Sequence, residues 1–269
     1  MARILYIAPV KVDQPRPPGP LAETLRSENS FASIGFRRGP RHLEYHYYET
    51  LVLTDLLHSI VEAEQQGYDA AVIGCFYDLG LQEARELTST MVVTAPCESS
   101  LLLAASLGHT FSIIVGRRKW IPQMHDNVRR YGLDARLASF RAIDLWVPQY
   151  HADEQETARR FRREIRMAID EDGAEVIVLG CIASSGFYAD LQEEFGVPVI
   201  DSSIAAIKHA EQLVELRDRF GWSHSKVGGY EAPPDEELET WKVRTEYEPT
   251  DVRDLWVDLA VTPVEAEVL

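Results

Sequence analysis

Among the 269 residues of this chain, three cysteines are the side chains best suited to nucleophilic or acid/base chemistry: Cys75, Cys97 and Cys181. Two of them stand in matching surroundings. Asp69-Ala-Ala-Val-Ile-Gly-Cys75 and Glu175-Val-Ile-Val-Leu-Gly-Cys181 are offset by 106 residues, and at the same offset Gly80 matches Gly186. Further on, Met91–Thr94 lies against Val197–Ile200 with no gap needed in between. One β-loop-α-β-α unit therefore occurs twice. In each copy the cysteine follows an apolar strand and opens a loop into a helix. At such a position backbone N–H groups lower a thiol's pKa and hold anions. If the two copies face each other, the thiols flank one pocket. A thiolate then removes a proton from a carbon acid while the opposite thiol delivers one to the other face. Loop N–H groups beside each cysteine stabilise the enolate between these steps. No metal and no organic cofactor is called for.

The competing explanation is that both are core cysteines, a residue type that is very often buried. Recurrence at equivalent places in a duplicated unit favours function. Cys97 lacks that equivalence, because its counterpart is Ser203. It stands near a helix start, so reactivity and packing both stay open, with packing favoured. Tyr77 and Asp78 either orient a ligand or cap and pack the next helix, capping being favoured for Asp78. A redox dithiol would need a closer pair of cysteines.

The elements that must hold these residues follow from short apolar runs that alternate with helical patterns, as in parallel sheets with crossover helices. The expected strands are Arg3–Ala8, Ala70–Gly74, Met91–Thr94, Phe111–Val115, Val176–Gly180 and Val197–Ile200. Leu53, Leu56, Leu57, Ile60 and Val61 keep a helical period, as do Ala158, Phe161, Ile165, Ala168 and Ile169. Arginines 159, 160, 162, 163 and 166 cover the rest of the second helix, and neighbouring acids make a solvated, charge-paired face the better reading than a basic patch. Residues 9–42, with Pro15-Arg16-Pro17-Pro18-Gly19-Pro20, read as a long loop. From Gly221 the pattern fades into an acidic tail whose Trp241, Tyr247, Leu255, Trp256 and Leu259 call for packing on the body or on a neighbouring subunit.

A net charge of -16 argues against nucleic acid as a partner. No apolar run reaches about 18 residues, so neither a membrane span nor membrane association is expected. The first residues turn at once into Pro9, which reads as a first strand rather than a leader, and three cysteines form no disulfide framework. A cytoplasmic homo-oligomer acting on a small molecule is the expectation.

The chain resembles the aspartate/glutamate/hydantoin racemase superfamily, and within it the hydantoin racemase group. The residues that carry this are Gly74-Cys75-Phe76-Tyr77-Asp78, Gly80-Leu81, Ala84-Arg85-Glu86-Leu87 and Val178-Leu179-Gly180-Cys181. Phe111–Val115 with Ile121-Pro122, Gly196–Asp201 and Ser225–Tyr230 support it, and the similarity spans about residues 1–235. The resemblance implies an α/β protein of two pseudo-symmetric Rossmann-like lobes with parallel sheets and the active site in the cleft between them. It implies Cys75 and Cys181 as the acid/base pair of a cofactor-independent racemase or epimerase acting on a small carbon acid, such as a 5-substituted hydantoin or a related cyclic or carboxylate compound. Expected substrate contacts are Val10, Lys11, Phe76, Tyr77, Asp78, Ile182, Ala183 and Ser184. The expected division is 1–95 with about 202–235 as the first lobe, 96–201 as the second, and 236–269 as an extension.

Departures bear on the substrate. Where hydantoin racemases carry Asn-Pro-Asn-Thr after the first strand, this chain has Ala8-Pro9-Val10-Lys11, which removes polar groups and adds a cation. Ile182-Ala183-Ser184-Ser185 stands where Ala-Gly-Met is usual. The alternatives are a decarboxylase or cis-trans isomerase of the same fold, or, in another class, a two-lobed small-molecule binding protein with non-catalytic cysteines.

Overall fold

A computed structural model describes residues 1–14, 20–247 and 251–261. Nine strands occur among them: β1 Arg3–Lys11, β2 Ser30–Phe36, β3 Ala70–Ile73, β4 Val92–Thr94, β5 Phe111–Val115, β6 Leu137–Ala142, β7 Val176–Leu179, β8 Val199–Asp201 and β9 Trp256–Val261. The helices are α1 Pro20–Glu23, α2 His46–Gln65, α3 Leu81–Leu87, α4 Pro96–Leu107, α5 Ile121–Arg130, α6 Glu154–Asp170, α7 Tyr188–Phe195, α8 Ser202–Phe220, α9 Asp235–Thr240 and α10 Val243–Tyr247. Two compact units result. One comprises Met1–Ile73, Leu79–Thr94 and Lys208–Leu269, the other Gly74–Asp78 and Ala95–Ile207.

The first unit holds a sheet of order β4-β3-β1-β2-β9, parallel except for β9, which runs against β2. The second holds the all-parallel order β6-β5-β7-β8. Written from the opposite edge, the second order is β8-β7-β5-β6, which matches β4-β3-β1-β2 strand for strand. The register matches too. Ala71 pairs with Val93 and Val72 with Thr94 in one copy, Ile177 with Val199 and Val178 with Ile200 in the other. The duplication thus takes in two strand pairs beyond the stretch that the sequence repeat showed.

The expected strands are present, Phe111–Val115 with the same bounds and the others with ends shifted by at most three residues. The central ones are buried along their whole length, as strands covered by helices on both faces must be. α2 buries Val52, Leu56 and Ile60, and α6 buries Phe161, Ile165 and Ala168. The arginines of α6 are charge-paired: Arg159 and Arg160 with Glu156, Arg162 and Arg166 with Glu194, Arg163 with Glu164.

One expectation is overturned. Residues 9–42 are not a long loop, because β1 runs on to Lys11 and β2 lies inside the segment. The strand was hidden by its small residues. Ser33 and Gly35 read as turn formers, yet a Cβ on Gly35 would stand 2.5 Å from Val12 Cγ2, so close approach demands glycine there. Pro15 to Gly19 of that segment fall outside the described residues. The tail supplies α9, α10 and β9; Trp256 is buried with its indole N–H donated to Ser59 Oγ at 2.8 Å, whereas Trp241 and Tyr247, expected to pack, are exposed on this chain. Residues 248–250 and 262–269 of the extension are outside the described residues.

Candidate active site

The chain leaves β3 through Gly74 and reaches Cys75 at once. Here the backbone closes a turn, Asp78 N–H donating to Cys75 O at 3.0 Å. The same turn follows β7, where Ser184 N–H donates to Cys181 O at 3.0 Å. A glycine must precede Cys181, since a Cβ on Gly180 would lie 2.7 Å from Ile113 Cγ2 and 3.2 Å from Ile114 O. Cys75 is 8% exposed and Cys181 9%, so each keeps a small accessible face. Both belong to the second unit, and neither is in a disulfide.

The rest of the Cys75 turn is anchored to two helices of that unit. Asn127 Nδ2 of α5 donates to Tyr77 O at 2.7 Å. Asp78 Oδ1 accepts from Cys97 N–H at 2.8 Å, and Oδ2 from Glu98 N–H at 2.7 Å and from Tyr131 Oη at 2.6 Å. Asp78 therefore does cap a helix, but α4 rather than the adjacent α3. α4 needs it, because its own N-cap position is Ala95, which has no capping side chain. Asp78 is only 3% exposed and holds a φ of 53°. Burial pushes its pKa up to about 7 against the pull of its three donors. Tyr131 is raised as well, by burial and then by the Asp78 charge.

Cys97 is fully buried in the first turn of α4, and burial, followed by the charge of Asp78, raises its pKa well above the ordinary thiol range. A thiol held neutral in this way packs and does not attack. The helix-start position alone does not reveal this; the carboxylate beneath it comes from a turn 19 residues earlier.

On the other turn, Ile182–Ser184 is one 3-10 turn. Ser184 is buried and its hydroxyl donates back to Cys181 O. Ala183 O accepts from His151 Nε2 at 2.9 Å, and that imidazole is stacked on Phe187 with ring centroids 5.6 Å apart. Sequence reasoning missed His151, Asn127 and Tyr131, none of which lies near a cysteine in the chain.

Phe76, Tyr77 and Asp78 are thus placed with Cys75, and Ile182, Ala183 and Ser184 with Cys181, all in the second unit. Val10 and Lys11 belong to the first unit, at the carboxyl end of β1, the neighbour of β3. Both are half-buried, and the pairing of β1 with β2 shifts register between Ala8 and Lys11. Lys11 Nζ stands 3.9 Å from Asp13.

A cysteine in a repeated turn, twice set at the carboxyl end of a parallel strand in a repeated sheet order, marks a duplicated α/β enzyme. Comparison with known proteins makes the class specific. The family model for Asp/Glu/Hydantoin racemase matches residues 23–210. A hydantoin racemase of Pseudomonas sp. (strain NS671) is 34% identical over 212 residues, 79% of this chain and 83% of that protein. One from Rhizobium meliloti is 39% identical over 185 residues, 69% and 75% of the two chains. Among solved structures, allantoin racemase from Klebsiella pneumoniae superposes with a TM-score of 0.76 at 29% identity, covering 87% of this chain and 94% of that one. An arylmalonate decarboxylase shares the fold, with a TM-score of 0.55 at 18% identity over 85% and 96% of the chains. The chain belongs to the Asp/Glu/hydantoin racemase family. It is an isomerase of the racemase type. Among the described residues no helix is long and apolar enough to cross a membrane.

Proposed function

We propose that this protein racemises a small cyclic carbon acid of the hydantoin or allantoin kind, without a cofactor, through Cys75 and Cys181. The observation that carries the reading is the repeated turn. Two strands of one sheet order end in the same hydrogen-bonded turn, each with its cysteine carbonyl accepting from the third residue on. A carbon flanked by a ring carbonyl and a nitrogen bears a weakly acidic proton. One cysteine, as thiolate, takes that proton, and the other, as thiol, returns one to the opposite face. The negative charge passes to the carbonyl oxygen, where backbone N–H groups of Phe76, Ile182 and Ala183 are the donors we assign. The hydantoin and allantoin racemases similar to this chain support the substrate class.

Substrate contacts fall to Phe76, Tyr77, Ile182 and Ala183 around the cysteines, with Val10 and Lys11 from the end of β1. Lys11, where the hydantoin racemases carry a polar neutral residue, favours a substrate that bears a carboxylate or another anionic group. Three thiols outside any disulfide suit a reducing, cytoplasmic setting. We also assign a homo-oligomeric state, which sedimentation of the full chain and of a chain ending at residue 235 tests.

The deciding experiment follows one enantiomer of a 5-substituted hydantoin, and of allantoin, in deuterated water by NMR and polarimetry. Wild-type protein exchanges the ring proton while optical activity falls and no other product forms. Cys75→Ser and Cys181→Ser each lose at least about 10³-fold in turnover. Normal racemisation by either variant removes the two-base mechanism. Release of carbon dioxide from a malonate-type acid points to decarboxylation instead, and ligand binding with no exchange to a binding protein.

A further inference from the structure

We propose that Asp78 is the positioning residue of Cys75: its carboxylate clamps the thiol-bearing turn onto the start of α4 and the end of α5 and so fixes how that thiol is presented. The role in catalysis rests on the two-cysteine reading; the clamp itself does not.

Three successive features leave this turn little freedom. Cys75 O accepts from Asp78 N–H, Tyr77 O accepts from Asn127 Nδ2, and the Asp78 carboxylate accepts from Cys97 N–H, Glu98 N–H and Tyr131 Oη. Asp78 also holds a left-handed backbone, which a non-glycine residue keeps only when its surroundings enforce it. The other copy ties its loop differently. There the carboxylate is Asp201, whose Oδ1 accepts from Ser203 N–H and Ile204 N–H at the start of α8, while Oδ2 meets Gly186 N–H at 3.3 Å. That tie is made five residues beyond Cys181, not three beyond the cysteine as at Asp78.

The clamp is also titratable. Facing the carboxylate are Cys97 and Glu98 on α4 and Tyr131 at the end of α5, while Arg130 and Cys75 act on Cys97. Burial lifts the carboxyl to about 7. On protonation one oxygen becomes a donor, so the Tyr131 hydroxyl has to turn from donor to acceptor for that bond to persist, and the ties that hold the turn beneath Cys75 change.

Alkylation tests this without any substrate. Wild-type protein and Asp78→Asn are treated with iodoacetamide at several values between about pH 6 and 9, and each cysteine peptide is quantified by mass spectrometry. The rate at Cys75 changes by at least about fivefold in the variant and loses its inflection near neutrality, while Cys181 stays within about twofold. Labelling of Cys97 reports unfolding. An unchanged Cys75, or equal changes at Cys75 and Cys181, overturns the proposal. Should Asp78→Asn fail to fold, Tyr131→Phe carries the test: Cys75 changes by about twofold because one of three hydrogen bonds is removed, and an equal change at Cys181 overturns the proposal. Where the wild type racemises, Asp78→Asn lowers kcat by at least about tenfold with KM within about threefold, whereas a KM change alone assigns Asp78 to substrate contact and overturns positioning. A protein with no turnover in the wild type defeats the proposed function and leaves the labelling result untouched.

Discussion

The two copies of the repeated unit keep their backbone and exchange their side chains. Gly67 and Gly173 hold φ of 75° and 74° before β3 and β7, and Gly80 and Gly186 hold 67° and 95° beyond the cysteines. Both cysteine turns close on the same hydrogen bond at the same length. Against that constancy, each copy needs a carboxylate joining the cysteine loop to the helix after the next strand, and the two supply it from opposite ends. In the first it sits in the loop, as Asp78, and reaches the helix. In the second it sits at the helix start, as Asp201, and reaches back to the loop. Helix capping is thus met equally well in both, while the electrostatic surroundings of the cysteines differ. The proposed two-cysteine mechanism, in which one thiol is ionised and the other is not, has a use for that inequality.

Placing a carboxylate in both loops breaks the comparison most severely. Ser184→Asp sets a second acid at the position equivalent to Asp78, but the first N–H groups of α8 are already taken by Asp201. With Ser184 buried, the new charge has no partner ready for it. The expected loss is about 3–5 kcal/mol in urea unfolding at neutral pH, the cost of an uncompensated buried charge. A loss under about 1 kcal/mol would mean that the second loop can rearrange to the geometry of the first.

How far the sequence announces this arrangement depends on which forces leave local marks. The buried central strands and the helical faces of α2 and α6 do so, because burial on two faces or one selects apolar residues at fixed periods. The cysteine pair is visible through the repeat. β2 is not, since Ala32, Ser33 and Gly35 carry little strand propensity and Gly35 answers to close packing against Val12. β6 is half-buried along most of its length, so its Leu137-Ala-Ser-Phe-Arg-Ala142 has no continuous apolar run. Asp78 reads as a local cap, and only folding reveals that its partners lie 19, 20 and 53 residues away.

The inequality between Asp78 and Asp201 also predicts a pH signature. The folded Asp78 pKa of about 7 lies above the ordinary 3.8. The folded state therefore binds this proton more tightly than the unfolded chain. The associated stability is fully present below about pH 4 and is lost as pH rises through about 7, a total on the order of 4 kcal/mol. Asp78→Asn removes that dependence. The stability of the wild type relative to Asp78→Asn should be greatest near pH 4, fall steadily as pH rises towards 7 and be gone by pH 8, as read from denaturant unfolding at each pH. A difference that stays flat across this range would mean that Asp78 is ionised throughout, held so by its three donors.

The smallest effect separates the edges of the two sheets. Edge strands must satisfy their outward N–H groups, and the copies again use different side chains for one equivalent group. Val93 N–H of β4 donates to His224 Nε2 at 3.1 Å, whereas Val199 N–H of β8 donates to Gln192 Oε1 at 3.2 Å. His224 arrives from 131 residues away, on the segment that also brings Tyr230 to Arg85 and Lys226 to the carbonyl of Arg85. Gln192 comes from α7, seven residues before its partner. Each bond is worth about 1 kcal/mol, so Gln192→Ala should cost no more than that and act only locally. His224→Ala removes a long-range tie and should, at the same modest cost, raise hydrogen exchange across β4 and the strap from 222 to 230 together. Equal and purely local exchange changes in the two variants would show that the strap holds without His224, through Tyr230 and Lys226 on Arg85.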